Sequence, residues 1–220
     1  MINMSDNSDK FDMKFKSCHY SDRLLNKLIL LNKSASNKID IQEVKKAINY
    51  AKHYHGNQKR QSGELYYSHP LEVAYLIADY LFRTEIIVTS ILHDTIEDTE
   101  LTFEIIKSVF GEMVAVQVMD LTRIKEYGHK ISSTEIVELL WAQKKYDVLL
   151  IKQFDRLHNI QTISAKSPDK AKKIIEETIS TFVVLAIYLE IPELKQELIH
   201  SCLKAMAIKH DSLEDLDFSY

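Results

Sequence analysis

Glycine and proline are scarce in this chain, which limits the folds that it can adopt. Its 220 residues include only 4 glycines and 3 prolines, whereas average usage would give roughly 15 and 11. Turn-rich all-β folds need many of both residues. The glycines stand at positions 56, 63, 111 and 128 and match neither a dinucleotide-binding loop nor a P-loop. The sequence therefore predicts long helices with short connections, and it excludes a glycine-rich phosphate cradle.

Apolar residues recur at helical spacing along most of the chain, and no segment alternates as a strand would. The stretch from Thr84 to Leu92 is apolar on most sides and predicts a central helix. We predict an all-α fold, a single-domain bundle of about nine to ten helices. We expect a flexible N-terminus with one short helix over residues 1–38, the domain itself over 39–209, and a C-terminal tail over 210–220.

Charge and hydropathy exclude several classes of partner. There are 28 basic and 32 acidic residues, a net charge of −4, which argues against a general nucleic-acid or anionic-membrane surface. The longest apolar run, Phe182–Leu189, is far shorter than the roughly 20 residues of a membrane span. The N-terminus lacks an apolar signal-peptide core. Cys18 and Cys202 suggest neither a disulfide framework nor a zinc motif. We expect a cytoplasmic protein, and the sequence leaves its oligomeric state open.

A histidine and three carboxylates crowd the end of the predicted central helix. His93 and Asp94 are adjacent in sequence. Glu97 lies four residues after His93, and Asp98 lies four residues after Asp94. Side chains four apart lie on one helix face. Such crowding is destabilising unless a positive charge relieves it, and a divalent cation is one such charge. The alternative is a solvated acidic helix end.

Two further segments carry ligand-type residues. His69 lies at a predicted helix start, just before Pro70. Asp155 follows an apolar run on a predicted helix, and helical spacing places Lys152, Asp155 and Asn159 on one face. A buried aspartate is costly unless it is paired or binds a metal, so an ion pair with Lys152 or Arg156 is the alternative. A set of two histidines and two aspartates without thiolate suits Mn²⁺, Fe²⁺ or Zn²⁺ rather than Ca²⁺.

These segments resemble a known family. The order H…HD…D is the signature of HD-domain metal-dependent phosphohydrolases. The longer motifs HGNQKRQSGELYYSHPLEVA, ILHDTIEDTELT, VMDLTRIK and LLIKQFDRLHNIQT are similar to the hydrolase domain of RelA/SpoT-type alarmone enzymes. The similarity runs from about Val44 to Thr162 and continues more weakly to about residue 200.

The resemblance implies an HD-type helical fold and an enzyme. The expected reaction is Mn²⁺-dependent hydrolysis of guanosine 3′-diphosphate 5′-(di/tri)phosphate, the alarmone (p)ppGpp, to GDP or GTP and pyrophosphate. One ion is expected, with Fe²⁺ or Zn²⁺ as alternatives to Mn²⁺. Carried over to this sequence, the catalytic acidic pair that positions and activates water is Glu97 and Asp98. The implied metal ligands are His69, His93, Asp94 and Asp155.

The resemblance also implies a set of nucleotide-binding positions: Arg60, Ser62, Lys152, Asn159 and Thr162. One departure lies among them, because Gln61 stands where the family usually has a lysine. That change removes a positive charge beside the nucleotide and leaves the base preference and affinity open.

Two other functions remain compatible with the residues. The first is an HD phosphohydrolase of another phosphorylated nucleotide or dinucleotide, which Gln61 keeps open. The second is an alarmone-binding regulatory module with weak turnover. The similarity covers one domain and leaves no residues for a synthetase domain, so we expect a stand-alone small alarmone hydrolase with a small guanine nucleotide as its partner.

Overall fold

Every regular element that the structure describes is helical. The structure is a computed structural model that describes residues 15–123 and 130–214. Its elements are α1 (His19–Leu31), α2 (Ile41–His55), α3 (Ser68–Ile77), α4 (Thr84–Leu92), α5 (Thr95–Asp98), α6 (Phe103–Phe110), α7 (Glu112–Leu121), α8 (Ser133–Ala142), α9 (Tyr146–Gln161), a 3₁₀ turn (Ile163–Ala165), α10 (Pro168–Glu177), a π-helical segment (Thr178–Val183), α11 (Val184–Tyr188) and α12 (Pro192–Glu214).

The predicted fold class is confirmed within these ranges. One continuous helix is formed by α10, the π-helical segment and α11. Helix α5 is a single turn. Ten helices of more than one turn therefore lie among the described residues. An isolated antiparallel bridge joins Lys59 and Leu65. Within these ranges, no helix is both long and apolar enough to cross a bilayer.

Helix α4 is the central helix that its all-round apolar pattern predicts. Each residue from Ile86 to Leu92 is buried, and the helix packs against α2, α3 and α7. Full burial of one large aliphatic side chain stabilises the fold by about 1.5–3 kcal/mol. The helix ends at Leu92, so the two residues that follow it emerge from the middle of the core.

Helix α9 is buried along most of its length, including its polar half. All residues from Val148 to His158 are buried, and the helix packs against α3, α8 and α12. Its first turns are apolar and fill the core. Its later turns place Lys152, Asp155 and Arg156 inside the protein, where charged groups need partners.

A short loop between α2 and α3 brings Arg60 towards the same region. Gly56 ends α2 with a φ of 50° and Gly63 turns the loop with a φ of 89°, a region of backbone conformation that favours glycine. The Arg60 amide donates to the Glu64 carbonyl, and the Tyr66 amide donates to the Gln58 carbonyl. These bonds hold the loop closed beside α3.

The predicted domain limits concern the two ends of the chain. Leu24 and Leu28 of α1 are fully buried in the main core, and α1 packs on α3. Helix α12 continues to Glu214, beyond the predicted end of the domain at residue 209. Residues 1–14 of the predicted N-terminal segment and 215–220 of the predicted tail lie outside the described residues, and the limits stay a prediction.

Candidate active site

The ends of α4 and α9 and the start of α3 bring four ligand-type side chains together. His69, His93 and Asp155 are buried, and each offers a ligand atom within 4.8 Å of the other two. Asp94 joins them from the turn after α4. Its Oδ1 lies 3.1 Å from His93 Nε2 and its Oδ2 lies 3.6 Å from His69 Nε2. Residues 69, 93, 94 and 155, far apart in sequence, therefore surround one point.

His93 is oriented by the backbone of its own helix. Its Nδ1 lies 2.8 Å from the Ser90 carbonyl oxygen, which can only accept, so Nδ1 carries the hydrogen. In the neutral ring the opposite nitrogen, Nε2, keeps its lone pair. It is buried without a well-aligned hydrogen bond, although Asp94 Oδ1 lies 3.1 Å away. A buried ring nitrogen left without a hydrogen bond, with carboxylates around it, is what a metal ligand requires.

His69 is oriented by a second histidine. Its Nε2 lies 3.1 Å from Asp155 Oδ1, and its Nδ1 lies 2.7 Å from Nδ1 of His158. One of the two facing nitrogens must donate and the other accept. Burial, His69 and Arg60 lower the pKa of His158 to about 3, so the His158 ring is neutral. If Nε2 of His69 binds a metal, Nδ1 carries the hydrogen and donates to His158.

Asp155 is held by its own helix. Lys152 Nζ lies 2.7 Å from Asp155 Oδ2, and Asn159 Nδ2 donates to Oδ1 at 2.6 Å. The ion pair that the sequence analysis kept as an alternative is therefore present, and it exists together with the histidine cluster. Arg156 pairs instead with Glu177 at 2.8 Å.

The electrostatics of the cluster favour a cation. Burial lowers the pKa of His93, but Asp94 and Asp155 outweigh it and raise that pKa to about 9. Burial raises the pKa of Asp94, but His93 and His69 outweigh it and lower that pKa. The nitrogen and oxygen donors, the orphaned Nε2 and the surplus of carboxylate fit a divalent metal ion. His69, His93, Asp94 and Asp155 would hold it.

The acidic pair after the cluster is divided between two environments. Glu97 accepts from the backbone amide of Arg123 at 3.1 Å and pairs with Lys130 at 2.8 Å. Asp98 instead accepts a 2.6 Å hydrogen bond from the Tyr66 hydroxyl, which also lies 3.4 Å from Asp94. Burial, opposed by the Tyr66 hydrogen bond and assisted by Asp94, raises the pKa of Asp98. Their spacing in the sequence offers no reason to separate these two residues.

A cavity of about 530 Å³ opens over the cluster, a size typical of small-molecule sites. His69, Asp94, Glu97, Asp98 and Asp155 are among the residues that line it. The positive side chains along its walls are Lys59, Arg60, Arg123, Lys152, Arg156, Lys166, Lys170 and Lys173.

Among the predicted nucleotide-binding residues, Arg60, Lys152 and Asn159 line this cavity, and Thr162 contacts Arg60. Arg60 Nη2 donates to Asn159 Oδ1 at 3.3 Å and to Thr162 Oγ1 at 3.2 Å. Its other terminal nitrogen, Nη1, is buried without a partner. Gln61 lines the cavity as well. Ser62 does not: it is exposed, and its hydroxyl donates to Glu64 at 3.3 Å. The roles of these residues stay predictions.

Sequence reasoning did not determine the contacts of several groups at the site. Tyr66 and His158 stand in the motifs, but only contacts across the fold show which atoms they face. Three lysines of the cavity wall, Lys166, Lys170 and Lys173, received no role. Their spacing of four and three residues, which favours a shared helix face, is the signal that could have identified them.

Comparison with known proteins agrees with this geometry. A protein-family model described as "HD domain" matches residues 47–191. A protein of Aquifex aeolicus named guanosine-3′,5′-bis(diphosphate) 3′-pyrophosphohydrolase is 40% identical over 159 residues, which cover 71% of this chain and 23% of that protein. A Synechocystis protein named a probable enzyme of the same kind is 34% identical over 180 residues, covering 80% of this chain and 22% of that protein.

Other relatives carry a different name or share mainly the fold. GTP pyrophosphokinase rsh of Brucella ovis is 38% identical over 168 residues, covering 73% of this chain and 22% of that protein. The chain thus spans less than a quarter of the length of these curated relatives. A solved structure described as a metazoan ortholog of SpoT that hydrolyzes ppGpp has a TM-score of 0.55 at 20% identity, over 74% of this chain and 94% of that one. The resemblance inferred from the motifs is confirmed.

Proposed function

The chain belongs to the HD domain family, and from that premise we propose that it is a metal-dependent 3′-pyrophosphohydrolase of ppGpp and pppGpp. The observation that carries the proposal is the buried His69, His93 and Asp155 cluster at the floor of a cavity with a guanidinium on its wall. The names of the relatives from Aquifex and Synechocystis support the substrate. We propose Mn²⁺ as the ion, with Fe²⁺ and Zn²⁺ as the alternatives that the same donors accept.

The reaction adds one water to the phosphorus bound to the 3′ oxygen. The new bond joins the water oxygen to that phosphorus, and the bond from phosphorus to the 3′ oxygen breaks. Pyrophosphate and a nucleotide with a free 3′ hydroxyl result, so ppGpp gives GDP and pppGpp gives GTP. A divalent ion would supply Lewis acidity, which lowers the pKa of a water and offsets charge on the phosphoryl oxygens.

The side chains of the protein do the rest. A carboxylate beside the cluster accepts the proton that the water loses, and such general-base assistance contributes about 10²–10⁴-fold. We assign this role to Asp98, because Glu97 is already engaged by Lys130. The partnerless Nη1 of Arg60 is a permanently charged donor for a phosphate or a base. Asn159 and Thr162 accept hydrogen bonds from the other terminal nitrogen, Nη2, of the same guanidinium.

The location of the reaction follows from the same chemistry. Both cysteines, Cys18 and Cys202, are free thiols, which suits a reducing compartment. We propose that the protein acts in the cytoplasm on its small guanine nucleotide substrate.

The test is a product assay on metal-stripped protein to which Mn²⁺, Fe²⁺ or Zn²⁺ is returned. We expect ppGpp and pppGpp to yield GDP and GTP in equal molar amounts with pyrophosphate, as measured by anion-exchange chromatography. The Asp155→Asn variant should be inactive. Hydrolysis of NADP⁺ or another nucleotide with ppGpp left intact would overturn the substrate. Binding of ppGpp without turnover under every metal would instead indicate a regulatory module.

A further inference from the structure

Three lysines line one wall of the cavity and take no part in the site described so far. Lys166 follows the 3₁₀ turn after α9, and Lys170 and Lys173 lie on α10. Residues three apart on a helix project from the same side, so Lys170 and Lys173 point together into the cavity. Arg60 lies on the same cavity wall. This end of the cavity is therefore rich in positive charge.

No described carboxylate neutralises this charge by an ion pair with any of the three lysines. Glu177, the acidic residue of α10 that lines the cavity, is paired with Arg156 at 2.8 Å. Burial, with the positive charges of Arg60 and Lys170, lowers the pKa of Lys166. The lysines thus repel one another and Arg60. An anion between them would remove that repulsion.

The neighbouring Lys172 shows that this arrangement is specific to one face of α10. Its side chain is 78% exposed and lies 4.0 Å from Glu176, and it is not part of the cavity wall. The same helix therefore carries lysines on two sides, and only one side faces the site.

The ligand-type cluster and the three lysines line one cavity, so a ligand with two anionic groups would match both. The cluster of His69, His93, Asp94 and Asp155 with its ion would take one of them. The proposed substrate has a diphosphate at its 3′ position, which reacts, and a second polyphosphate at its 5′ position, which does not. Apart from Arg60, no residue has been assigned above as a partner for this second group.

We propose that Lys166, Lys170 and Lys173 form a second anion subsite that takes the non-reacting 5′-polyphosphate. This inference rests on the proposed function. Ammonium groups on flexible stems act as point charges without a fixed bonding geometry. Such a subsite therefore accepts a 5′-diphosphate or a 5′-triphosphate, and it selects nucleotides that are phosphorylated at both ends of the ribose.

The test compares substrates with and without the 5′ arm. The Lys166→Ala/Lys170→Ala/Lys173→Ala variant is assayed on ppGpp and on guanosine 3′-diphosphate, which has a free 5′ hydroxyl. We expect the KM for ppGpp to rise roughly tenfold or more, since charge-assisted contacts are lost. The kcat for ppGpp and the KM for the 5′-hydroxyl substrate should change little. Lys172→Ala is the matched control and should behave as the unmodified protein.

A second measurement does not depend on turnover. GDP carries the 5′-diphosphate without the reactive arm, so the difference in its affinity between the variant and the unmodified protein in EDTA reports on the lysines. We expect calorimetry to show roughly tenfold weaker GDP binding for the triple variant and no change for Lys172→Ala. Circular dichroism checks that both variants are folded.

The outcomes separate the subsite from the function. Equal losses on both substrates, or unchanged KM and unchanged GDP affinity in the triple variant, would overturn the subsite even if ppGpp is hydrolysed. Failure of the unmodified protein to hydrolyse ppGpp would overturn the proposed function, and the GDP measurement would still decide whether the lysines bind a 5′-polyphosphate.

Discussion

The Nδ1 atoms of His69 and His158 face each other at 2.7 Å in the buried part of the site. For His69 to bind a metal through Nε2, its Nδ1 must carry the hydrogen, and the neutral His158 ring would then accept from it. Histidine ligands more often donate to a carboxylate or a carbonyl. Here the neutral imidazole of His158 would take the place of that acceptor. It would orient the His69 ring without adding a further negative charge to an acidic site.

Replacing His158 should therefore weaken metal binding. Loss of an outer partner of a ligand commonly costs 10–100-fold in metal affinity. We expect His158→Leu to raise the Kd for Mn²⁺ by about that factor in calorimetry. His158→Asn, whose amide oxygen can accept a hydrogen bond, should recover part of the affinity. Equal affinities for the two variants would contradict an acceptor role and indicate packing alone.

Metal addition should stabilise the folded protein. Binding at a free concentration of 100 Kd contributes about 2.7 kcal/mol, which for a domain of this size corresponds to a rise in Tm of roughly 5–10 °C. The measurement is a thermal scan of stripped protein with and without Mn²⁺. The His93→Ala variant should lose the rise. The exposed His200, on α12, supplies a matched control, and a rise that is lost in His200→Ala as well would refute binding at the cluster.

The two carboxylates after the cluster should differ in their effect on turnover. Asp98 faces Asp94 through the Tyr66 hydroxyl, whereas Glu97 is tied to Lys130 and to the backbone of Arg123. We expect Asp98→Asn to lower kcat by about 10²–10⁴-fold, the usual contribution of a general base. Glu97→Gln should lower it less. A larger kcat loss for Glu97→Gln would reverse the assignment.

The hydroxyl of Tyr66 can be removed without removing its ring. The ring stacks on His55 with centroids 4.7 Å apart, and Tyr66→Phe keeps that stacking. Loss of the hydrogen bond to Asp98 should lower kcat roughly tenfold and leave KM for ppGpp within about twofold. A rise in KM at constant kcat would show instead that the hydroxyl contacts the substrate.

Burial of His55 should appear as a loss of stability in acid. His55 is 1% exposed, and burial lowers its pKa. The folded protein therefore keeps it neutral, while the unfolded chain takes up a proton below about pH 6.5. Since the unfolded state then binds more protons, the free energy of unfolding falls as the pH drops below that value.

A His55→Phe variant tests this account, because phenylalanine can stack on Tyr66 and cannot titrate. Urea unfolding in EDTA between pH 7.5 and 5 should give a flatter pH profile for the variant than for the unmodified protein. Parallel profiles would mean that other groups cause the acid sensitivity.

The helical fold and the presence of four ligand-type residues could be predicted from the sequence because both depend on local patterns, whereas the binding of a metal by these residues stays a prediction. The apolar sides of α4 fix its central position, and the HD pair follows directly at its end. The environments of Glu97 and Asp98 depend instead on Arg123, Lys130 and Tyr66, which lie elsewhere in the chain. Local spacing therefore cannot distinguish the two carboxylates.

The same limit applies to the nucleotide-binding residues. Arg60 meets Thr162 across 102 positions of sequence, which no helical wheel can show. Ser62 lies only two residues from Arg60, yet it turns outwards, because Gly63 reverses the loop at this point. A motif predicts which residues are present, and the turn decides which of them reach the cavity.

Lys152 affects the charge balance of the site in the metal-free protein. Its ammonium group, 2.7 Å from Asp155, is a built-in counter-ion at the place where the ion's charge would act. The carboxylate is therefore compensated even when the ion has dissociated. We therefore expect removal of the ion to leave the chain folded, because no uncompensated carboxylate would remain at Asp155.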